Sequence, residues 1–146
     1  MVINILGFAR KKYKMVAQSS AIYALKFLGE ENLELTIKFV NKKEIQRLNK
    51  EFRNIDKVTD VLSFPATDIK AGEKMTEEYL GDMALCLSKA KEQGKEYKNG
   101  TVAELRKLVI HSVLHLLGYD HIKDEDYIVM HKKEEEIEKY ISNLEK

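Results

Sequence analysis

The stretch from Leu108 to Leu117 constrains this chain most, because its ten residues are apolar apart from His111, Ser112 and His115. A helix with apolar side chains on nearly every face has to be buried on nearly every side. The stretch is too short to cross a bilayer, which takes roughly 18 consecutive apolar residues. The sequence therefore predicts a helix from Thr101 to about Leu117 at the centre of the fold.

The spacing of apolar residues predicts the elements around this helix. Short apolar or alternating segments predict strands at residues 2–6, 33–40, 59–65 and 80–87. Helical spacing predicts further helices at residues 10–28, after Asn41, within residues 88–100 and at residues 124–143. Residues 66–79 have no clear period and are expected to form a loop. This order predicts one α+β domain over residues 1–146, with helices covering a small mixed sheet of about four strands.

Two helices carry the pattern of a capping box, in which a glutamate follows the capping residue by three positions. The pairs are Asn41 with Glu44, and Thr101 with Glu104. Helical periodicity also predicts which side chains face the core. In the helix after Asn41 these are Ile45, Leu48 and Phe52, and in the C-terminal helix they are Tyr127, Met130, Ile137 and Ile141.

Three of the four histidines fall within the eleven residues "HSVLHLLGYDH". His111 and His115 are four residues apart and share one helix face. Gly118 can adopt the left-handed conformation that ends the helix, so that His121 returns to the same side. Burying three unpaired imidazoles costs roughly several kcal/mol, which a bound metal offsets. The segment therefore predicts a divalent metal site that keeps an open coordination position.

The spacing of these histidines is close to that of metzincin proteases, H-E-x-x-H-x-x-G-x-x-H, whose glutamate is the general base. Ser112 occupies the glutamate position, and a serine cannot do the work of that carboxylate. A conventional zinc protease is therefore disfavoured. Three imidazoles suit zinc, although nickel, cobalt or copper would also be accepted.

The charge balance bears on partners and compartment. With 25 basic and 24 acidic residues the net charge is +1, which excludes a strongly basic, general nucleic-acid binder. A local basic face is still possible, formed by Lys43, Arg47, Lys50 and Arg53, with residues 9–14 as a second candidate. Cys86 is the only cysteine, so no intramolecular disulfide can form, and a reducing cytoplasm is expected.

Three further polar residues could in principle contribute to the predicted metal site. Asp120 could orient a ligand imidazole, or could cap the turn in "GYDH". Asp60 is expected to form hydrogen bonds at the end of a strand. His131 lies on the charged C-terminal helix and is expected to be exposed to solvent, not a fourth ligand.

Taken together, these motifs resemble the YbeY family of bacterial metal-dependent endoribonucleases. The resemblance rests on "HSVLHLLGYDH", on "FRNIDKVTDVLSFP" at residues 52–65 and on "LGDMALCLSKAKEQ" at residues 80–93. With "NKKEIQRLNKEFR" and "ELRKL" it covers most of the chain from Leu33 to His121. Two positions depart from the family pattern, which usually has glycine where Ser112 stands and proline where Val58 stands.

The resemblance implies an α+β fold with a cleft over the metal and cleavage of single-stranded RNA. It implies roles in maturing ribosomal RNA, especially the 3′ end of the small-subunit RNA, and in ribosome quality control. By the motif match, His111, His115 and His121 become ligands of one zinc ion, and Arg53 faces the substrate phosphate. The expected partners are precursor ribosomal RNA and the small subunit or its assembly proteins, with a monomeric protein and no membrane.

Two other functions stay open at the level of sequence. One is a metallohydrolase acting on peptides or small esters, against which the missing glutamate argues. The other is a non-catalytic ribosome-assembly factor whose metal is structural. Structural zinc sites normally have four protein ligands and often cysteine, whereas only three ligands are in reach here. For Arg53, a surface ion pair with Glu51 or Asp56 is the alternative to a phosphate contact.

Overall fold

The computed structural model describes residues 1–145, so that Lys146, the last residue of the predicted domain 1–146, lies outside the described residues. Its strands are β1 (Val2–Gly7), β2 (Glu34–Val40), β3 (Val61–Pro65) and β4 (Tyr79–Cys86). Its helices are α1 (Lys11–Phe27), α2 (Lys42–Arg53), α3 (Leu87–Glu96), α4 (Thr101–Leu116) and α5 (Asp124–Leu144). The predicted order of elements is confirmed.

The strands form one mixed sheet in the order β1-β2-β4-β3. Strands β1, β2 and β4 are parallel, whereas β3 pairs with β4 in the antiparallel sense. Parallel neighbours need a crossover, and α1 supplies it between β1 and β2. The expected α+β fold with a four-stranded mixed sheet is therefore confirmed.

Helix α4 lies in the core, as its apolar sequence requires. It packs against α1, α3 and α5 and also touches the sheet. Helix α1 meets it with the small buried residues Ala17, Ser20, Ala21 and Ala24. Nearly all of α4 from Leu105 to Leu116 is buried, and the partly exposed exceptions include His111 and His115. The central helix therefore presents these two imidazoles at the surface of an otherwise closed core.

Helix α2 covers the opposite face of the sheet. Side chains alternate between the two faces along a strand. In β4, Met83 and Leu85 join the core under α4, whereas Ala84 and Cys86 join a smaller cluster with Ile45 of α2. Cys86 is a buried free thiol.

Two residues predicted to face the core are exposed. Phe52 is 59% exposed because the last turn of α2 lies beside the edge strand β3, where the ring of Phe64 meets it edge-on. Tyr127 is 54% exposed. Helix α5 runs antiparallel to α4, with Arg106 against Glu145, so the first turn of α5 lies beyond the end of α4.

One predicted capping box forms in part and the other does not form. The Asn41 side chain accepts a hydrogen bond from the Glu44 backbone N–H at 2.8 Å. Within residues 1–145, Thr101 makes no such bond, and Gly100 precedes the helix with φ 85°. The reason is close packing with α3, where a Cβ on Gly94 would lie 2.5 Å from the carbonyl oxygen of Gly100. Glu104 is buried instead of capping the helix.

Over the described part of the chain, no helix is both long enough and apolar enough to cross a bilayer.

Candidate metal centre

The last two turns of α4 bring two imidazoles into contact. His111 and His115 lie one turn apart, and their ring centroids are separated by 4.5 Å. Their Nε2 atoms are 3.1 Å apart. Two ligand nitrogens of a tetrahedral zinc ion, with Zn–N bonds near 2.0–2.1 Å, lie roughly 3.3–3.4 Å apart. The pair is thus spaced as two ligands of one ion.

The turn after α4 returns the third histidine to the same place. Gly118 has φ 94°, and a Cβ there would lie 2.1 Å from the carbonyl oxygen of Ile69. Only glycine allows this turn to pass so close to the neighbouring segment. The His121 ring then lies 5.6 Å from that of His111 and 5.2 Å from that of His115. One nitrogen from each of the three residues lies within 4.8 Å of the others.

The surroundings of His115 prepare its Nε2 for a cation. The Nδ1 atom is 2.9 Å from the carbonyl oxygen of Tyr119, which can only accept, so Nδ1 carries the proton. The lone pair of Nε2 therefore points toward His111. Burial, and then the neighbouring His111 and His121, lower the pKa of His115 to about 4. The ring is neutral at pH 7, which is the form that binds a metal.

His111 has an acidic neighbour from another helix. Its Nδ1 lies 3.4 Å from Oε1 of Glu134 in α5. The Glu134 side chain is only 17% exposed. His121 is the most exposed ligand candidate of the three, so the cluster is closed toward α4 and α5 and open on the side of the turn. An open side of this kind is typical of sites that also bind water or substrate.

Ser112, which stands where a protease would carry its catalytic glutamate, has a structural role. It is fully buried, and its hydroxyl lies 2.6 Å from that of Ser63 in β3. The bond fastens α4 to the edge strand one residue after His111. Gly81 in β4 assists the close approach, because a Cβ there would lie 2.9 Å from the Leu116 side chain.

A cleft of about 540 Å³ opens beside His115. One wall is formed by Pro65, the last residue of β3, and residues 66–69, and the other is formed by the end of α4 and the turn up to Asp120. Residues 66–69 belong to the predicted loop 66–79, and Gly118 packs directly against Ile69. The cleft thus leads from the surface to an imidazole of the cluster.

The structure also places the other polar candidates. The Asp120 carboxylate accepts a hydrogen bond from the Ile122 backbone N–H at 3.3 Å, which favours the turn interpretation over orientation of an imidazole. Asp60 accepts from the Val61 N–H at 2.7 Å, as expected at a strand end. His131 is exposed and lies 2.9 Å from Glu135.

Arg53 is the last residue of α2 and is exposed to solvent. It is separate from the residues that line the cleft, although its neighbour Phe52 packs on Phe64, which directly precedes the cleft residue Pro65. Within residues 1–145 its alternative partners are engaged elsewhere, Glu51 with Arg47 and Asp56 with Lys50. The structure therefore brings the three histidines together but not Arg53 with them.

Neighbouring acidic side chains neutralise much of the positive charge on the predicted basic face of α2. Arg47 is bonded to both Glu44 and Glu51, at 2.7 and 2.8 Å. Lys50 lies 3.9 Å from Asp56. Ion pairs of this kind are exposed and weak, so a polyanion could displace them. Their presence nevertheless reduces the positive field that the sequence suggested for this helix.

Sequence reasoning missed two side chains near the cluster, Glu134 and Asp68. Asp68 lies in a segment with no periodicity, so nothing in the sequence placed it in the cleft. Glu134 left a signal, since it falls on the same helical stripe as Met130 and Ile137, which are buried. An acidic residue on an inner stripe of a helix indicates a partner on the neighbouring element.

Comparison with known proteins places these features in a family. Residues 5–142 match the family model described as Endoribonuclease YbeY. The Endoribonuclease YbeY of Clostridium botulinum strain Kyoto is 43% identical, covering 79% of this chain and 80% of the relative. That of Caldicellulosiruptor saccharolyticus is 44% identical, covering 82% and 81%. The fold is similar to the solution structure of TM1509 from Thermotoga maritima, with a TM-score of 0.62 and 29% sequence identity. The match covers 97% of this chain and 93% of the TM1509 chain.

Proposed function

The chain belongs to the YbeY family of endoribonucleases, and from this we propose that it is a zinc-dependent enzyme that cuts single-stranded RNA. Its substrate is precursor ribosomal RNA, chiefly at the 3′ end of the small-subunit RNA, and it serves ribosome quality control. We place the activity in a single cytoplasmic domain, residues 1–146, acting as a monomer with the small subunit or its assembly proteins.

One observation carries the zinc assignment: three histidine nitrogens lie within 4.8 Å of one another beside a cleft. His111, His115 and His121 are the proposed ligands of one ion. Neutral imidazoles suit zinc, and a three-ligand set with an open side is typical of catalytic zinc sites. A structural site normally has four protein ligands, so this cluster favours catalysis over a purely structural metal.

The residues of the chain divide the remaining tasks between them. A zinc ion bound to the three histidines would supply Lewis-acid activation of water and of the phosphodiester. We propose that the RNA backbone binds in the cleft beside His115, between residues 65–69 and the end of α4. Arg53 is proposed to bind a substrate phosphate through its guanidinium group, since two parallel N–H···O bonds stabilise the charge that develops on the phosphate oxygens.

The alternative of a peptidase is disfavoured by the position of Ser112. That residue is buried and bonded to Ser63, so it offers neither a carboxylate nor access to substrate. A phosphodiester substrate needs no general-base glutamate at this position if the bound cation activates the water.

The test is cleavage of an end-labelled RNA that contains a single-stranded tail next to a duplex. We expect cuts in the tail only, abolished by a chelator and restored by added zinc. His131→Ala is the matched control, because His131 lies outside the cluster and should leave the activity unchanged. Cleavage that persists in the chelated protein, or in His115→Ala, would refute the proposal. Cleavage of peptides but not RNA would favour the alternative metallohydrolase.

A further inference from the structure

We propose that Glu134 is a positioning residue for the metal centre, accepting a hydrogen bond from Nδ1–H of His111 so that Nε2 of that ring faces the cation. The inference rests on the proposed metal site, and it assigns C-terminal helix α5 a part in that site. Its evidence is the place of Glu134 in the fold and the direction of the His111 ring.

The two nitrogens of His111 have different neighbours. Nδ1 lies 3.4 Å from Glu134 Oε1, and Nε2 lies 3.1 Å from Nε2 of His115. A neutral imidazole carries one proton, and a carboxylate can only accept. When a cation lies between the two Nε2 atoms, the proton of His111 belongs on Nδ1, where Glu134 accepts it. At 3.4 Å the contact is slightly longer than most N–H···O bonds, and a small side-chain shift closes it.

The burial of Glu134 requires such a partner. The residue lies on the inner stripe of α5 between Met130 and Ile137, both buried, and its side chain is 17% exposed. The next residue, Glu135, is 67% exposed and pairs with His131. A carboxylate on an apolar stripe costs free energy unless it is hydrogen-bonded. His111 is the hydrogen-bond partner that the described chain gives it.

The Nδ1 atom of His115 also has a hydrogen-bond acceptor beside it. The carbonyl oxygen of Tyr119 lies 2.9 Å from Nδ1 of that ring. Two acceptors from different elements thus place the protons of both helical histidines on the outer nitrogens. Acceptors behind ligand imidazoles fix the tautomer and raise ligand basicity, and their removal typically weakens metal affinity about 10–100-fold.

The experiment measures the zinc dissociation constant by competition with a fluorescent chelator. Glu134→Ala should weaken binding about 10–100-fold. Glu134→Gln should weaken it less, because the amide oxygen still accepts. Glu135→Gln, one residue along the helix and facing solvent, should bind as the unaltered protein does. Equal affinity of Glu134→Ala and the unaltered protein would overturn the inference.

A second readout separates positioning from a merely structural role. In the zinc-loaded protein, ¹⁵N NMR should show His111 bound through Nε2 with its proton on Nδ1, and Glu134→Ala should speed the exchange of that proton with water. Zinc coordination through Nδ1 of His111 in the unaltered protein would overturn the inference, even if Glu134→Ala did not fold. If the unaltered protein binds no zinc, the proposed function fails, whereas zinc binding that is indifferent to Glu134 refutes this inference alone.

Discussion

Substituting Gly118 by alanine tests how the turn after α4 builds the metal centre, and Gly72 provides a matched control. Both glycines have a positive φ, 94° and 86°. A Cβ on Gly118 would lie 2.1 Å from the carbonyl oxygen of Ile69, whereas a Cβ on Gly72 meets nothing within 4 Å. The two variants therefore share the conformational strain and differ in the clash.

The magnitude follows from these two contributions. An alanine in the left-handed region costs about 1–2 kcal/mol, which both variants incur. At Gly118 the added methyl cannot fit without moving the segment at Ile69, and overpacking of this kind costs about 1–3 kcal/mol more. We expect Gly72→Ala to lower the free energy of unfolding by about 1–2 kcal/mol and Gly118→Ala by about 2–5 kcal/mol.

Urea unfolding of the zinc-free variants measures this difference, and zinc titration of the folded variants measures its effect on the site. Gly118→Ala should also bind zinc more weakly, because the turn that carries His121 has to shift away from Ile69. Equal loss of stability in the two variants would refute the claim that close approach fixes this turn. Unchanged zinc affinity in Gly118→Ala would show that the turn does not position His121.

Three further predictions follow from other contacts. Arg53→Ala should lower kcat/KM for RNA about 10–100-fold at unchanged zinc content, because it removes a charged hydrogen bond to the substrate. Arg47→Ala is the control, since the Arg47 guanidinium is bound by two glutamates. Equal effects of the two substitutions would contradict a specific role for Arg53. Ser112→Ala should lower the free energy of unfolding by about 1–3 kcal/mol because Ser63 loses its buried partner, and adding Ser63→Ala should cost less than the sum of the single variants. The pKa of His115 is lowered to about 4 in the folded protein, so as the pH falls the unfolded chain binds a proton at this ring before the folded chain does. The free energy of unfolding of the zinc-free protein should therefore decrease from about pH 6.5 toward pH 4. A His115→Gln variant with the same pH profile as the unaltered protein would contradict this.

The helices and strands were predictable where the signal is local. The apolar stretch around His111 requires burial whatever surrounds it, and the structure places α4 in the core. Asn41 caps α2 as predicted, because the bond joins residues three positions apart. The convergence of the histidines was likewise local, since one helical turn and one glycine turn bring the three rings together.

The errors came from contacts between distant elements. Thr101 does not cap α4 because Gly100 occupies the N-cap position, where it packs closely against Gly94 of α3. Tyr127 is exposed because the first turn of α5 lies beyond the end of α4, where no residue of α4 can cover it. The relative lengths of two packed helices are not encoded in the periodicity of either one. Glu134 lies 23 residues from His111 in the chain, and only the packing of α5 on α4 joins them. A carboxylate on an otherwise apolar helix stripe therefore indicates a hydrogen-bond partner on the neighbouring element.

The most direct test of the account is the metal content of the purified protein, measured by elemental analysis beside His115→Ala. The account predicts about one zinc ion per chain in the unaltered protein, and none in the variant at unchanged fold by circular dichroism. Absence of bound metal after loading with zinc would contradict the account, because the three imidazoles would then form only a polar border to the core.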